Sequence, residues 1–149
     1  MIRPFTLSDL NAILAIERQS FPKSPYDRRT FIRLHALFPQ QFLVYSEPDE
    51  GHQEKVLGYI VFTPEGHLIS LAVLPQHRRE GIGRKLLRKA MEASSPKGLL
   101  AEVRKSNLRA QAFYRRMGFR IVGIAPGYYG DEDALILRWT PPPSESPPK

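Results

Sequence analysis

Leu10, Ile13, Leu14 and Ile16 recur at three- and four-residue spacing behind Thr6-Leu7-Ser8-Asp9, which predicts an amphipathic helix with Thr6 or Ser8 as N-cap, ending near Phe21-Pro22. A second helix is predicted over about 27–38, with Phe31, Leu34, Leu37 and Phe38 on its apolar stripe and Pro39 closing it. Pro22-Lys23-Ser24-Pro25 between them reads as a loop. The period then shortens. Runs at 42–46 and 56–63 are rich in β-branched and aromatic residues and predict an antiparallel hairpin across the polar stretch 47–55. A third apolar run at 67–74 is cut by Pro75.

Helical spacing returns after Gly81-Ile82-Gly83, with Leu86, Leu87, Ala90 and Met91 on one face, and ends before Ser94-Ser95-Pro96-Lys97-Gly98. Strands are predicted at 99–103, 120–125 and 134–139, a helix at 107–117 with Gly118 in the C′ position, and a loop at 126–133. With an opening strand ahead of the first helix, the order is β, αα, βββ, α, β, α, ββ. That is one mixed α/β domain, with strand-helix-strand units in its second half and hairpins elsewhere. The domain is expected to span 1–140, and the Pro-rich segment 141–149, unable to bury apolar area, to be a disordered tail.

At 149 residues, 42% hydrophobic and 25% charged, the chain is sized for a single core. No window approaches the roughly 18–20 consecutive apolar residues of a membrane span. Met1-Ile2-Arg3-Pro4 begins no secretory segment, so a cytoplasmic protein without a membrane partner is expected. Without cysteine there is no disulfide, no thiolate metal site and no Cys nucleophile. The four scattered His form no ligand cluster, so no metal is expected. Lys and Arg exceed Asp and Glu by 22 to 15, a net charge of +7 that favours anionic partners: nucleic acid, acidic proteins or phosphorylated small molecules.

Charge becomes informative at Arg78-Arg79-Glu80-Gly81-Ile82-Gly83-Arg84-Lys85, between a strand and a helix. Glycines let backbone approach a ligand, and the first N–H groups of the helix are free donors beside a positive dipole end. A phosphate or pyrophosphate is the expected ligand, a tight turn the plain alternative; neither a Walker A loop nor a dinucleotide fingerprint fits the letters. On the strand at 99–103, Glu102 shares a face with Leu100 and Arg104 while Leu99, Ala101 and Val103 face the other way. A carboxylate there lines a cleft or makes an ion pair with a nearby Arg. Asn107, Ala110, Gln111 and Tyr114 share one face of the next helix. That face suits an extended polar chain, or Asn107 is simply an N-cap and Tyr114 a core residue.

Four segments in register carry a resemblance: His67 to Gly83, Ala101 to Asn107, Phe113-Tyr114 with Gly118-Phe119, and Tyr128-Tyr129 with Glu132-Asp133-Ala134. From about His67 to Leu137 the chain resembles the GCN5-related N-acetyltransferases (GNAT). It looks most like the branch that acetylates protein N-termini, including the ribosomal-protein alanine acetyltransferases. The resemblance implies a single mixed, mostly antiparallel central sheet of about seven strands with about four helices. It implies that acetyl-CoA is the cosubstrate, its pyrophosphate held by the backbone of Arg79, Gly81, Ile82, Gly83 and Arg84 with Arg78 beside it. The pantetheine arm would then lie along Leu71, Ala72 and Val73 like an added strand, with Asn107 on its amides and Tyr114 at the thioester sulfur.

With no Cys and no Ser/His/Asp pattern, direct attack by the amine in a ternary complex is expected. An α-amine titrates near 8 and a lysine near 10.4, so freeing the lysine costs about 3 kcal/mol more, at roughly 1.36 kcal/mol per unit. In the branch the strand Glu is a favoured base, which makes Glu102 the first choice. His67, mostly neutral at an unperturbed pKa near 6.5, is a second proton acceptor or a strand-edge residue. Tyr114 is expected to hand its proton to the departing thiolate, a transfer expected to run downhill, and N–H groups near Val73 to steady the oxyanion. Tyr128 and Tyr129 would face Phe21 and Tyr26 across the groove for the acceptor peptide.

The expected function is therefore transfer of acetyl to the N-terminal α-amine of a protein, ribosomal proteins included, with nucleic acid not required. The loop Phe21-Pro22-Lys23-Ser24-Pro25-Tyr26 lacks the aromatic or acidic residues often found after Phe-Pro in the branch, leaving the preferred first residue open. The alternatives are acetylation of a lysine or small amine, a silent acyl-CoA sensor, and a basic nucleic-acid-binding module.

Overall fold

In the computed structural model, residues 1–94 and 96–143 are described. The predicted order of elements is realised as β1 (Ile2–Pro4), α1 (Leu10–Ser20), α2 (Arg28–Leu37), β2 (Phe42–Pro48), β3 (Glu54–Phe62), β4 (Leu68–Val73), α3 (Ile82–Ala93), β5 (Leu99–Arg104), α4 (Leu108–Arg116), β6 (Arg120–Ala125) and β7 (Ala134–Trp139). Short 3-10 turns at Leu7–Asp9 and Pro75–His77 precede α1 and follow β4. The expected tail lies outside the described residues from 144 onward. No helix among the described residues is long and apolar enough to cross a membrane.

The helix ends follow from local chemistry. The Asp27 carboxylate accepts the Thr30 N–H at 2.8 Å to cap α2, and Asn107 Oδ1 accepts the Ala110 N–H at 3.1 Å to cap α4, so each expected helix is shorter by its cap residues. Gly118, at φ +97°, ends α4 as expected.

β3 is buried on both faces and separates two cores. Tyr59 and Val61 pack beneath α1 and α2 with Ile13, Ile16, Phe31 and Phe42. Ile60 and Phe62 face α3, where Leu86, Leu87 and Ala90 meet Leu99, Val103, Tyr114 and Leu137. Apolar residues pointing both ways explain why this strand reads as a continuous hydrophobic run.

Among the described residues there are seven strands and four α-helices, but the strands form two sheets: β1-β2-β3-β4 and β5-β7-β6, each wholly antiparallel. Among the described residues a single parallel bridge, His67 to Leu100, joins them, with the Leu100 N–H donating to the Gly66 carbonyl at 2.8 Å. Beyond it β4 and β5 diverge. Two glycines make the seam possible. Gly66 holds φ +99° and a Cβ there would lie 2.1 Å from the Gly98 carbonyl oxygen; a Cβ on Gly98 would lie 1.9 Å from that of Trp139. The continuous sheet implied by the resemblance is thus split, because the pairing stops after one residue pair and leaves the β4 edge open to a ligand.

Candidate active site

The gap between the diverging strands is a cleft of about 1710 Å³. Leu71, Ala72 and Val73 line it from β4, with their backbone paired to β3 on the far side only. An extended ligand can therefore hydrogen-bond along β4 as a further strand would.

One end of the cleft is formed by the start of α3, where Arg78, Arg79, Gly81, Ile82, Gly83 and Arg84 all line it. Gly81 and Arg79 take left-handed φ values of +82° and +70°. A Cβ on Gly81 would meet nothing within 4 Å, so the glycine answers the backbone conformation and not crowding. For Arg79 that conformation costs roughly 1–2 kcal/mol. The first turn of α3 beside it has no side-chain cap, so its N–H groups remain available as donors. Burial, and then the charge of Arg109, lower the pKa of Arg78. Two guanidiniums crowd one wall, and an anion between them relieves the repulsion.

Glu102 lines the cleft, on the face of β5 expected from the alternation. Its partner is His67, not the arginine envisaged as the plain alternative: His67 Nε2 lies 2.9 and 2.7 Å from the two carboxylate oxygens. The Glu102 side chain is 17% exposed and that of His67 43%. His67 lies behind Glu102 and is the one candidate site residue that does not line the cleft. The hydrogen bond to Glu102 is the main cause that raises the His67 pKa above its usual value, against a smaller opposing effect of burial. The expectation of a mostly neutral His67 at pH 7 shifts accordingly toward the charged form.

Asn107 and Tyr114 line the cleft from α4. Asn107 spends its carbonyl oxygen on capping the helix, which leaves its amide N–H groups for a ligand. Tyr114 packs edge-on against Phe113 and Phe119 and is 9% exposed, so both readings of this residue hold at once: a core ring and a cleft hydroxyl. Burial, with Tyr129 and Glu102 adding to it, pushes its pKa well above 10. A downhill proton transfer to a thiolate is therefore wrong. Even an unperturbed phenol at 10 holds its proton about 2 kcal/mol more tightly than a thiol at 8.5, and burial widens that gap. What Tyr114 offers is a hydrogen bond.

The opposite end is walled by aromatic rings. Phe21 and Tyr26 come from the loop after α1, Tyr128 and Tyr129 from the loop before β7, the last two edge-to-face at 4.9 Å. Burial and the charge of Glu17 raise the pKa of Tyr26, and burial and neighbouring Tyr128 push that of Tyr129 up to about 12, so these rings stay neutral donors.

Two groups escaped the sequence reading. Glu17 is 2% exposed and lines the cleft floor; its carboxylate accepts from the hydroxyls of Tyr59 and Ser70 and from the Tyr26 N–H. Its signal was a carboxylate four residues after Ile13 on the buried stripe of α1. Arg104 was seen only as a neighbour of Glu102 on one strand face.

Comparison with known proteins gives the following. Residues 10–119 match the Acetyltransferase (GNAT) family. The chain is 37% identical to an uncharacterized N-acetyltransferase of Methanocaldococcus jannaschii, over 99% of this chain and 96% of the relative. It is 31% identical to an N-alpha-acetyltransferase of Sulfurisphaera tokodaii, over 91% and 90%. The crystal structure of the ribosomal-protein-S18-alanine N-acetyltransferase from Escherichia coli superposes with a TM-score of 0.72 at 27% identity, covering 98% of this chain and 97% of that one.

Proposed function

This chain belongs to the GNAT family of acetyl-CoA-dependent acetyltransferases, and we propose that its acceptor is the N-terminal α-amine of a protein, with ribosomal proteins within its range. The observation that carries this reading is the continuity of the cleft. The same cleft is lined by the arginine- and glycine-bearing start of α3, by Glu102 and Tyr114, and by Tyr26, Tyr128 and Tyr129. Relatives that are N-alpha-acetyltransferases and ribosomal-protein alanine acetyltransferases support the choice of acceptor.

The residues fit the cosubstrate. The N–H groups at the start of α3, with Arg78, Arg79 and Arg84, suit its diphosphate; the free edge of β4 over Leu71, Ala72 and Val73, and the Asn107 amide, suit its pantetheine arm. When bound it supplies an acetyl group activated as a thioester. At the reacting end, Glu102 takes a proton from the acceptor nitrogen on a carboxylate oxygen. A carboxylate is a much weaker base than an amine, so a proton it takes needs a better acceptor close by. His67 is that acceptor. In its neutral form with the ring proton on Nδ1, it receives the proton from Glu102 at Nε2, which faces both carboxylate oxygens, and releases the Nδ1 proton to water. His67 is thus a relay and Glu102 the group that meets the amine. Tyr114 donates a hydrogen bond to the sulfur as negative charge grows there.

A peptide panel varying the first two residues, with free and blocked N-termini, incubated with acetyl-CoA and read by mass, tests the acceptor. Acetylation of free α-amines is the expected result; acetylation confined to lysines of blocked peptides overturns it.

A further inference from the structure

Arg104 is two residues beyond Glu102 on the same face of β5, and its side chain is 13% exposed. Its guanidinium touches both loops that flank the aromatic end of the cleft. Nη1 donates to Asp131 Oδ1 at 2.8 Å and to Glu132 Oε1 at 2.9 Å, while Nη2 donates to Ser24 Oγ at 2.8 Å. The guanidinium carbon sits 4.3 Å from the centre of the Tyr129 ring. Glu132 extends the tie: it accepts from the Ser106 N–H and hydroxyl, and the Lys23 ammonium lies 3.6 Å from it. Arg104, with help from Ser106, draws the Glu132 carboxyl down to about 2, so the pairing is intact across the neutral range.

We propose that Arg104 is a positioning residue for the acceptor: it straps the loop after α1 to the loop before β7 and so fixes the spacing between the groove walls that carry Tyr26 and Tyr129. The proposal rests on reading that groove as the acceptor site. Two surface loops far apart in sequence meet over one planar, five-donor group, which a lysine ammonium cannot replace because it lacks the rigid fork. The group is anchored on the strand of Glu102, so the walls are registered against the base itself. An acceptor held about 1 Å off line loses on the order of 100-fold in rate. Tyr129 is stacked as well as tethered, which holds its ring in one orientation. Among the described residues, none of the partners of the Arg104 side chain lies on β4 or at the start of α3; the strap approaches the cosubstrate residues only through the backbone bond from Asn107 to the Arg104 carbonyl, which a side-chain substitution keeps, and through Ser106.

Steady-state kinetics of the full chain with a free-N-terminus peptide test it, using Arg104→Met, Arg104→Lys, Ser24→Ala and Glu132→Gln, each checked by thermal melting. Arg104→Met is expected to raise the peptide KM at least ten-fold and leave the acetyl-CoA KM within two-fold. Arg104→Lys recovers only part of the loss, and Ser24→Ala gives a smaller change in the same direction. A peptide KM within two-fold of wild type in Arg104→Met, or an equal rise in both KM values, overturns the strap. If Arg104→Met does not fold, the same split in Ser24→Ala and Glu132→Gln decides. Failure of the N-terminal reading is separate: should wild type modify only lysines of blocked peptides, the same variants assayed on that acceptor still give the split or lack it.

Discussion

His67 and Glu102 form a pair whose titration is measurable apart from turnover. The folded pKa of His67 is raised, so its pairing stabilises the fold fully below about 6.5 and that contribution is lost as pH rises through the folded value. By NMR, the His67 ring is expected to titrate above 6.5 in the wild type and to fall back toward 6.5 in Glu102→Gln; equal midpoints in the two proteins would remove the relay. Turnover has the opposite sign. Charged His67 cannot accept a proton, so kcat/KM is expected to rise with pH through the same raised pKa. Glu102→Gln itself is expected to lower kcat by about 100-fold or more, the usual scale for loss of a general base, with binding of CoA retained in a calorimetric titration. Tyr114→Phe keeps the ring and deletes only the hydroxyl. A kcat lower by about 10-fold or more, at nearly constant acetyl-CoA KM, is the mark of a hydrogen bond to a developing charge, worth about 1.5–3 kcal/mol.

Among the elements, the seam where the sheets meet is the most demanding. Gly66→Ala must accommodate both a positive φ and a 2.1 Å approach to a backbone carbonyl, whereas Gly130→Ala meets only the first, at φ +84° with nothing within 4 Å. The first is expected to lower Tm by about 5 °C or more and the second by less, at roughly 2–4 °C per kcal/mol for a chain of this size; thermal melts followed by circular dichroism check the order. Strand and helix order was legible because period, caps and prolines agree in nearly every segment, as at Asp27 and Gly118. The split of the sheet was not, since it depends on where a strand stops pairing, and Leu68 to Val73 has the same alternation whether one edge is bonded or both. Likewise the face occupied by Glu102 follows from strand alternation. The contacts of Arg104 with Ser24 and Glu132 link positions 80 and 28 residues apart, which no local pattern encodes.

For the molecule as a whole, the excess of 22 basic over 15 acidic residues acquires a location. Arg78, Arg79 and Arg84 line the cleft around the start of α3, with Arg109 near enough to act on Arg78, while Glu17 and Glu102 line it from α1 and β5. Cosubstrate binding is therefore expected to weaken with added salt, and saturating CoA at about 100 times its Kd to stabilise the fold by about 2.7 kcal/mol, raising Tm by about 5–10 °C. Thermal melts across a salt series check both; a shift indifferent to salt would contradict the basic end as the anchor.

The backbone bridge from His67 to Leu100 also places the His67–Glu102 pair near the apex of a wedge. Near a pivot, rotation displaces little; at the far tips of β4 and β5 the same rotation sweeps several ångströms. A small change in the angle between the two sheets would therefore alter the girth of ligand the cleft admits, while the His67–Glu102 pair hardly moves.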